Sequence, residues 1–455
     1  MSLVESLGSV ADRLVERARR RGADVAEATV RAGRRLHARV RLGQTELLEQ
    51  AESRSAGLRV MLGQRVAVAF SNDLGDAGLE RLVDDALELA RLAEPDEHAG
   101  PPDPALLARE PDDAPLDPFD PGVEALEADL VVEQARAAEA AALSYDARIT
   151  NSEGARCSAS LGYGVLVTSG RFGGVLRGTH VSLSALPVVL DEGGKRRRGR
   201  HWTAGRHRSM LEAPEAVGRK AAADAVRRLG ARKIATCECP VIFDPEAGRD
   251  LLELFASCVL GSAIWRRGSY LVDRLGTEVA SPCVTLVDDP LRPRAPGSRP
   301  FDGEGLPSRR NVVVERGVLR SYLLDVYAAR RLGMQSTASA ARSPSAGVGP
   351  ATSNFILEPG ERTRDELVRE VRAGLLVSET MGFGFNPVTG DFSRGASGYW
   401  IENGAIAYPV SEVTLSLRFD ELWRRVDAVA DDLDTRAATA CPTFRVSRMM
   451  VAGTG

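Results

Sequence analysis

Chemistry on a polypeptide needs side chains that can ligate a metal, attack as a nucleophile or move a proton, and this chain is sparing with them. It has five histidines, His37, His98, His180, His201 and His207. A zinc hydrolase holds its metal through nitrogen, sulfur or oxygen donors and keeps one position open for water. The helical form of that motif sets two histidines about a turn apart with a glutamate between them as base. His201 and His207 are the closest pair, but Trp202-Thr203-Ala204-Gly205-Arg206 separates them and supplies no glutamate. That spacing suits hydrogen-bonding histidines on a strand or loop.

The six cysteines, Cys157, Cys237, Cys239, Cys258, Cys283 and Cys441, are scattered, which suits buried thiols rather than a disulfide framework. On a strand, Cys237 and Cys239 would share a face, unlike a Cys-x-x-Cys redox turn or a zinc knuckle. There is no Gly-x-Ser-x-Gly elbow, no Walker-type phosphate loop and no Gly-x-Gly-x-x-Gly after a clear strand. By motif alone the chain is enzyme-sized without an obvious catalytic centre.

Two richer stretches remain. The first runs from Asp288-Asp289-Pro290 to Pro300-Phe301-Asp302-Gly303-Glu304-Gly305; turn carboxylates of this kind commonly satisfy backbone donors. The second, residues 382–398, is Gly-Phe-Gly-Phe-Asn-Pro-Val-Thr-Gly-Asp-Phe-Ser-Arg-Gly-Ala-Ser-Gly. Its glycines let backbone approach backbone, which suits either an extended peptide docked along a strand edge or a set of tight turns.

The elements that must position these residues fall into segments. The 455 residues exceed one ordinary core, and 44% hydrophobic with 27% charged residues is the balance of a soluble globular protein. Residues 3–22 have helical spacing up to Gly22. Alternating runs at 26–31 and 37–42 follow, with a turn at Gly43-Gln44, then a hairpin over 57–70 turning near Gly63 and a helix over 76–93. Pro-rich residues 95–122 form a long surface connection. Residues 123–142 and 211–229 are helical and flank strands that extend to about 190. A buried strand at 237–243 opens a region of short strands and Gly/Pro turns. The expected fold is α+β: a mixed helix and antiparallel-strand N-terminal domain (1–94), the linker (95–122), a middle segment (123–230) and a strand-rich C-terminal domain (231–455).

The net charge of −4 lacks the basic balance of a nucleic-acid binder, and the one dense basic run, Lys195-Arg196-Arg197-Arg198-Gly199-Arg200, is expected to be a solvated hairpin or loop. No stretch of 18 apolar residues suggests a membrane span, and the first residues lack the pattern of a signal peptide, so a cytoplasmic location is expected.

Several segments together carry a family resemblance. Val284-Thr285-Leu286-Val287-Asp288-Asp289-Pro290, Pro300-Phe301-Asp302-Gly303-Glu304-Gly305, Gly317 to Asp325, Ala329-Arg330-Arg331-Leu332-Gly333 and Gly390 to Gly404 resemble the core of the TldD/PmbA family. Gly57-Leu58-Arg59-Val60 and Ser71-Asn72-Asp73-Leu74 resemble its first domain. In the TldD branch a His-Glu-x-x-x-His helix follows the strand that opens the C-terminal domain. Here Pro240-Val241-Ile242-Phe243 leads into a stretch with no histidine, and Glu253 and Cys258 could not rebuild a site unaided. That pattern is similar to the TldE (PmbA) branch, also called modulator of DNA gyrase. Residues 337–342, Thr-Ala-Ser-Ala-Ala-Arg, depart from the more common Thr-Gly-Asn-Ala-x-Arg.

The resemblance implies a non-catalytic subunit in a heterodimer with a TldD-like zinc peptidase acting on unfolded or leader peptides. Zinc would sit in the partner, with no metal, cofactor or catalytic residue in this chain and no nucleic acid or membrane as partner. The channel or subunit interface would be formed by Gly382, Gly384, Asn386, Thr389, Gly390, Asp391, Phe392, Ser393, Gly395, Gly398, Glu402 and Asn403. Cys441, near the C-terminus, is expected to be structural, with an interface metal as the other option. Two rivals remain: an independent enzyme of diverged, non-peptidase chemistry, and a homodimeric regulatory interaction protein.

Overall fold

The computed structural model describes residues 2–109 and 111–453. The first helix, α1 (Leu3–Arg20), starts where Ser2 and Glu5 form a reciprocal capping box, and Gly22 at φ +98° stops it. Then come β1 (Val25–Arg41), β2 (Gln44–Leu62), β3 (Arg65–Ser71) and α2 (Asp76–Leu92). The two runs expected at 26–31 and 37–42 are one strand. Ala32 and Leu36 stay buried across the polar stretch between them, and the ladder to β2 continues through it. The turn lies at Leu42-Gly43, one residue earlier than expected, with both residues at positive φ as a two-residue hairpin turn requires. The buried Glu139 carboxylate accepts from both turn amides, at 2.9 and 3.0 Å.

A short helix, α3 (Pro121–Glu124), precedes α4 (Ala128–Leu143), β4 (Ile149–Thr168), β5 (Gly173–Leu190), β6 (Arg196–Arg198), β7 (His201–Gly205) and α5 (Pro214–Arg227). The helix expected from residue 211 starts at Pro214, because proline fits only a first helical turn. β1 pairs with β4 over 14 residues, so both N-terminal segments build one seven-stranded sheet in the order β3-β2-β1-β4-β5-β6, with β7 also on β5. All four long helices cover one face of it. Leu14 of α1, Leu79 of α2, Ala138 of α4 and Val217 of α5 are fully buried in the two cores under that layer. Residues 95–122 are stitched down rather than free: Asp96 accepts from Tyr327 at 2.8 Å, Asp113 pairs with Arg177, and the Pro118 carbonyl accepts from Thr179.

The C-terminal part continues with β8 (Cys237–Phe243), α6 (Pro245–Cys258), α7 (Gly261–Trp265), β9 (Leu286–Asp288), β10 (Asn311–Glu315), β11 (Val318–Leu319), α8 (Val326–Leu332), β12 (Ala340–Ser343), β13 (Ala346–Pro350), β14 (Phe355–Leu357) and α9 (Arg364–Arg369). It ends with β15 (Ala373–Met381), β16 (Asp391–Glu402), β17 (Ala405–Arg418), α10 (Phe419–Arg424), β18 (Val426–Val429), β19 (Thr439–Ala440) and β20 (Phe444–Ala452). One sheet runs β17-β16-β15-β8-β20-β18, and β17 also pairs with β20, so five of its strands close into a ring. Phe243, Phe255, Phe419, Trp423 and Phe444 fill the adjoining core. A second sheet, β11-β10-β9-β14-β19, lies beside it. The whole is α+β, as the sequence indicates. No helix among the described residues is long and apolar enough to cross a membrane.

The helix-free face of the N-terminal sheet meets the C-terminal part through a buried ionic knot. Glu27 on β1 accepts from Arg59 on β2 at 3.0 Å and from Arg342 on β12 at 2.6 Å, with side chains only 1%, 11% and 7% exposed. Burial alone would raise the Glu27 carboxyl, but the charges and hydrogen bonds of Arg342 and Arg59 outweigh it and hold it at about 2. Nearby, Phe172 packs edge-on against Phe301 at 5.0 Å. Pro344 sits so close over Gly57 that a Cβ there would lie 2.2 Å from the Pro344 carbonyl oxygen.

Two outcomes follow. Glu27→Gln strands two enclosed guanidiniums and should cost about 3 to 5 kcal/mol in urea unfolding. Because the folded pKa lies below the ordinary 4.5, the ionised carboxylate's stabilisation is complete above pH 4.5 and fades as pH falls toward 2, and the variant should lack that loss. Glu304 behaves oppositely: burial, then the neighbouring Asp302 carboxylate, push it up to about 8. Stability should therefore decline as pH rises from 4.5 to 8, and Glu304→Gln should flatten that window in thermal melts.

Candidate functional site: a cleft between sheet and ring

On the helix-free face, beyond the ionic knot, the N-terminal sheet and the C-terminal ring leave two adjoining cavities of about 400 and 790 Å³. Arg198, Arg228, Ser378 and Glu379 line both. The floor comes from Arg156 on β4 and Ser184 on β5, which pair directly and therefore share a face. One wall is α5 with Lys220, Asp224 and Arg227, and the opposite wall is the start of α6 with Asp244 and Glu246. A bulge in β15 between Val377 and Glu379 accompanies the Ser378 and Glu379 lining.

α6 also holds, at residues 251–258, the stretch where the resemblance would place a metallopeptidase motif, and its start forms this wall of the cleft. Asp244 caps the helix by accepting from the Ala247 amide at 3.0 Å, and burial raises its carboxyl to about 6. Glu246 accepts from the Trp202 indole N–H, and the Arg436 guanidinium lies 3.9 Å away. Two guanidiniums, of Arg249 and Arg436, lie 5.4 and 4.5 Å from the centre of the Trp202 ring. Asp250, one turn beyond Glu246, accepts from the Thr380 hydroxyl at 2.7 Å. Glu246 thus meets an indole N–H and guanidiniums, and Asp250 a hydroxyl; His201, which lines the same cavity, is bonded to Glu212. Among the described residues no three His, Cys, Asp or Glu side chains are grouped to hold a metal ion. This donor set does not fit a zinc centre.

The remaining chemistry-bearing residues are dispersed. His201 bonds Glu212 at 2.8 Å, whereas His207 is engaged by Asp117 in the linker. On α6, Glu253 is exposed while Cys258 is buried, so they do not face one point. Burial pushes Cys258 up to about 11; burial, then Cys237, pushes Cys239 to about 12; and burial holds Cys441 well above the ordinary thiol range. The Asp288–Gly305 carboxylates satisfy chain donors: Asp288 accepts from the Ser353 amide and hydroxyl, Asp302 from three amides and Glu304 from the Val326 amide. Within the basic run, Lys195 pairs with Glu412, Arg197 with Asp191, and Arg198 lies near Glu153 and Glu379.

The glycine-rich run forms the β15–β16 hairpin loop and β16. Gly382 and Gly390 take positive φ, and a Cβ on Gly384 would lie 1.6 Å from the Ser393 carbonyl oxygen. Asn386 accepts from the Val388 and Thr389 amides, Thr389 donates to Asp391 at 2.6 Å, and Phe392 packs against Phe419. Ser393 accepts from the Ser416 hydroxyl at 3.2 Å. Gly395 lies under Met381, and a Cβ on Gly398 would lie 1.9 Å from the Leu376 carbonyl oxygen. β16 is paired on both sides, by β15 and β17, so it has no free edge for a peptide. Glu402 and Asn403 form the turn at the other end of this strand, roughly 35 Å away at the usual rise per residue. The structure thus gathers Gly382 to Ser393 at one end, places Gly398 at the cleft wall, and leaves Glu402 and Asn403 remote from both. Phe383, 99% exposed between two glycines, is displayed at the tip. Sequence reasoning missed Arg156, Trp202, Asp224, Arg228, Glu246 and Glu379, because the cleft draws on five separated segments. The basic run at 195–200 was its only local signal.

This two-part architecture with a cleft at the seam matches known proteins over its whole length. Family models match residues 26–90 (PmbA/TldA metallopeptidase domain 1), 121–229 (central domain) and 236–453 (C-terminal domain). The metalloprotease PmbA of Escherichia coli O157:H7 is 35% identical over 94% of this chain and 92% of its own. A candidate modulator of DNA gyrase from Bacteroides thetaiotaomicron superposes with a TM-score of 0.90 at 26% identity, covering 98% of each chain. TldE from Thermococcus kodakarensis shares the fold, with a TM-score of 0.87 at 20% identity over 98% of this chain and 100% of its own. The chain belongs to the PmbA/TldA (TldD/PmbA) metallopeptidase family.

Gly398→Ala should destabilise the ring by about 1 to 3 kcal/mol, since its Cβ would meet paired backbone. Gly347→Ala, with open space around it, should be near neutral in the same denaturation assay.

Proposed function

We propose that this chain is the TldE-like, non-catalytic subunit of a two-chain metallopeptidase, and that a TldD-like partner carries zinc and cuts the peptide. The observation that carries this reading is α6: its stretch 251–258 holds no histidine, Glu253 there is exposed while Cys258 is buried, and at its start Glu246 and Asp250 are held by Trp202 and Thr380. Family membership supplies the peptidase context and the likeness to a TldE the two-chain context. The chain's own contribution is the cleft, which holds an extended peptide so that the partner can act on it. Unfolded segments and leader peptides are the suited substrates, because they present backbone and side chains without a competing fold.

The exposed Phe383, with Met381 and Val388 also exposed nearby, belongs to the surface that meets the partner. In this reading the Gly382–Ser393 loop acts at the subunit interface, and Gly398 at the wall of the peptide cleft. The gyrase-modulator description of one relative does not translate into a DNA surface here, given a net charge of −4 and carboxylates paired with Lys195, Arg197 and Arg198 of the basic run.

Peptide cleavage should be measured with this chain alone, a co-expressed TldD-like chain alone, and both together. Turnover that needs both chains, with Phe383→Asp weakening co-purification, supports the proposal. Metal-dependent turnover by this chain alone would overturn it in favour of an independent enzyme.

A further inference from the structure

The larger cavity is charged against the trend of the molecule. Its lining holds six cationic side chains, Arg156, Arg198, Arg200, Lys220, Arg227 and Arg228, against four carboxylates, Asp224, Asp244, Glu246 and Glu379. The difference is 6 − 4 = +2, in a chain whose total is −4.

Every one of those carboxylates is committed. Asp224 pairs with Arg228 at 3.1 Å, Glu379 with Arg228 at 2.9 Å, Asp244 caps α6, and Glu246 holds the Trp202 indole. The cations divide differently. Lys220 is bound to Glu212, Arg228 is doubly paired, and Arg198 lies near Glu153 and Glu379. Arg156, Arg200 and Arg227 have no ion pair and no side-chain hydrogen bond among the described residues, and Arg227 only lies over the Tyr399 ring. They reach the cavity from three elements, β4, the β6–β7 link and α5, and the Ser184 and Ser378 hydroxyls lie between the walls.

We propose that this cleft selects acidic segments of extended peptides, with Arg156, Arg200 and Arg227 receiving Asp or Glu carboxylates of the substrate. The inference rests on the peptide-cleft reading above and adds a substrate class to it. A guanidinium matches a carboxylate with two parallel N–H donors, and three that are left unpaired in one walled space supply both attraction and register. A nucleic-acid strand is the less suited occupant. The faces of Trp202 and Tyr399 already have guanidiniums over them, so neither is a free stacking platform for a base.

The test is fluorescence anisotropy of the purified full-length chain with three labelled probes at low and high salt. These are an unstructured twelve-residue peptide carrying four glutamates, the same peptide with four glutamines, and a thymidine oligomer of similar length. The glutamate peptide should bind about ten-fold more tightly than the glutamine peptide, as expected for three carboxylate contacts of about half a kcal/mol each. The margin should shrink with salt. The combined variant Arg156→Gln, Arg200→Gln, Arg227→Gln should bring the two peptides within about two-fold of each other while leaving the melting temperature unchanged. Arg54→Gln, at an exposed position of β2, should preserve the preference. Equal binding of both peptides to the wild type overturns the acidic selection and leaves the peptide cleft standing. No binding of either peptide, by the chain alone or in complex with its partner, overturns both. Tighter binding of the thymidine oligomer, lost in the triple variant, assigns the arginines to nucleic acid instead.

Discussion

The Glu27–Arg59–Arg342 knot is the interaction on which the rest of the molecule depends. Its three side chains come from β1, β2 and β12, so a single carboxylate ties the N-terminal sheet to the C-terminal part. Charges this enclosed are tolerated only when each is matched, so the knot fixes one docking geometry rather than merely favouring contact. Around it the packing allows little slip: Gly57 lies against the Pro344 backbone, and Phe172 abuts Phe301. The cleft lies between this same sheet and the C-terminal ring.

Within the cleft, the start of α6 gives the family's metallopeptidase architecture a different electrostatic solution. A zinc centre places a divalent cation among neutral or anionic donors and keeps a position open for water. Here Glu246 and Asp250 have hydrogen-bond partners from Trp202 and Thr380, and guanidiniums supply the positive charge. The carboxylates of this site are thus already partnered. Such a site suits a wall that positions a peptide, and this is why a second chain enters the proposed function.

Local rules made much of the fold legible. The helical spacing of 3–22 up to Gly22, the turns at Gly43 and Gly63, and the helical spacing of 76–93 all announce themselves over a few residues. The continuity of β1 through Gly33-Arg34-Arg35 did not, because alternate residues there face a side of the sheet that is only partly covered. The glycines of 382–398 were read for close backbone approach, and the approach is real. It is made by the chain itself, at Gly384 against Ser393 and Gly398 against Leu376. The cleft was illegible for a different reason: Arg156, Arg227, Trp202 and Glu246 share no sequence neighbourhood, and only the pairing of β4 with β5 and the docking of the ring bring them together.

The account's central claim is that this chain carries no zinc centre of its own, and calorimetric titration of the purified, metal-stripped chain with zinc tests it most directly. No saturable one-to-one binding is expected, with a Glu253→Ala variant indistinguishable from wild type. Tight one-to-one binding that disappears with Glu253→Ala or Cys258→Ala would contradict this and restore α6 as a metal site.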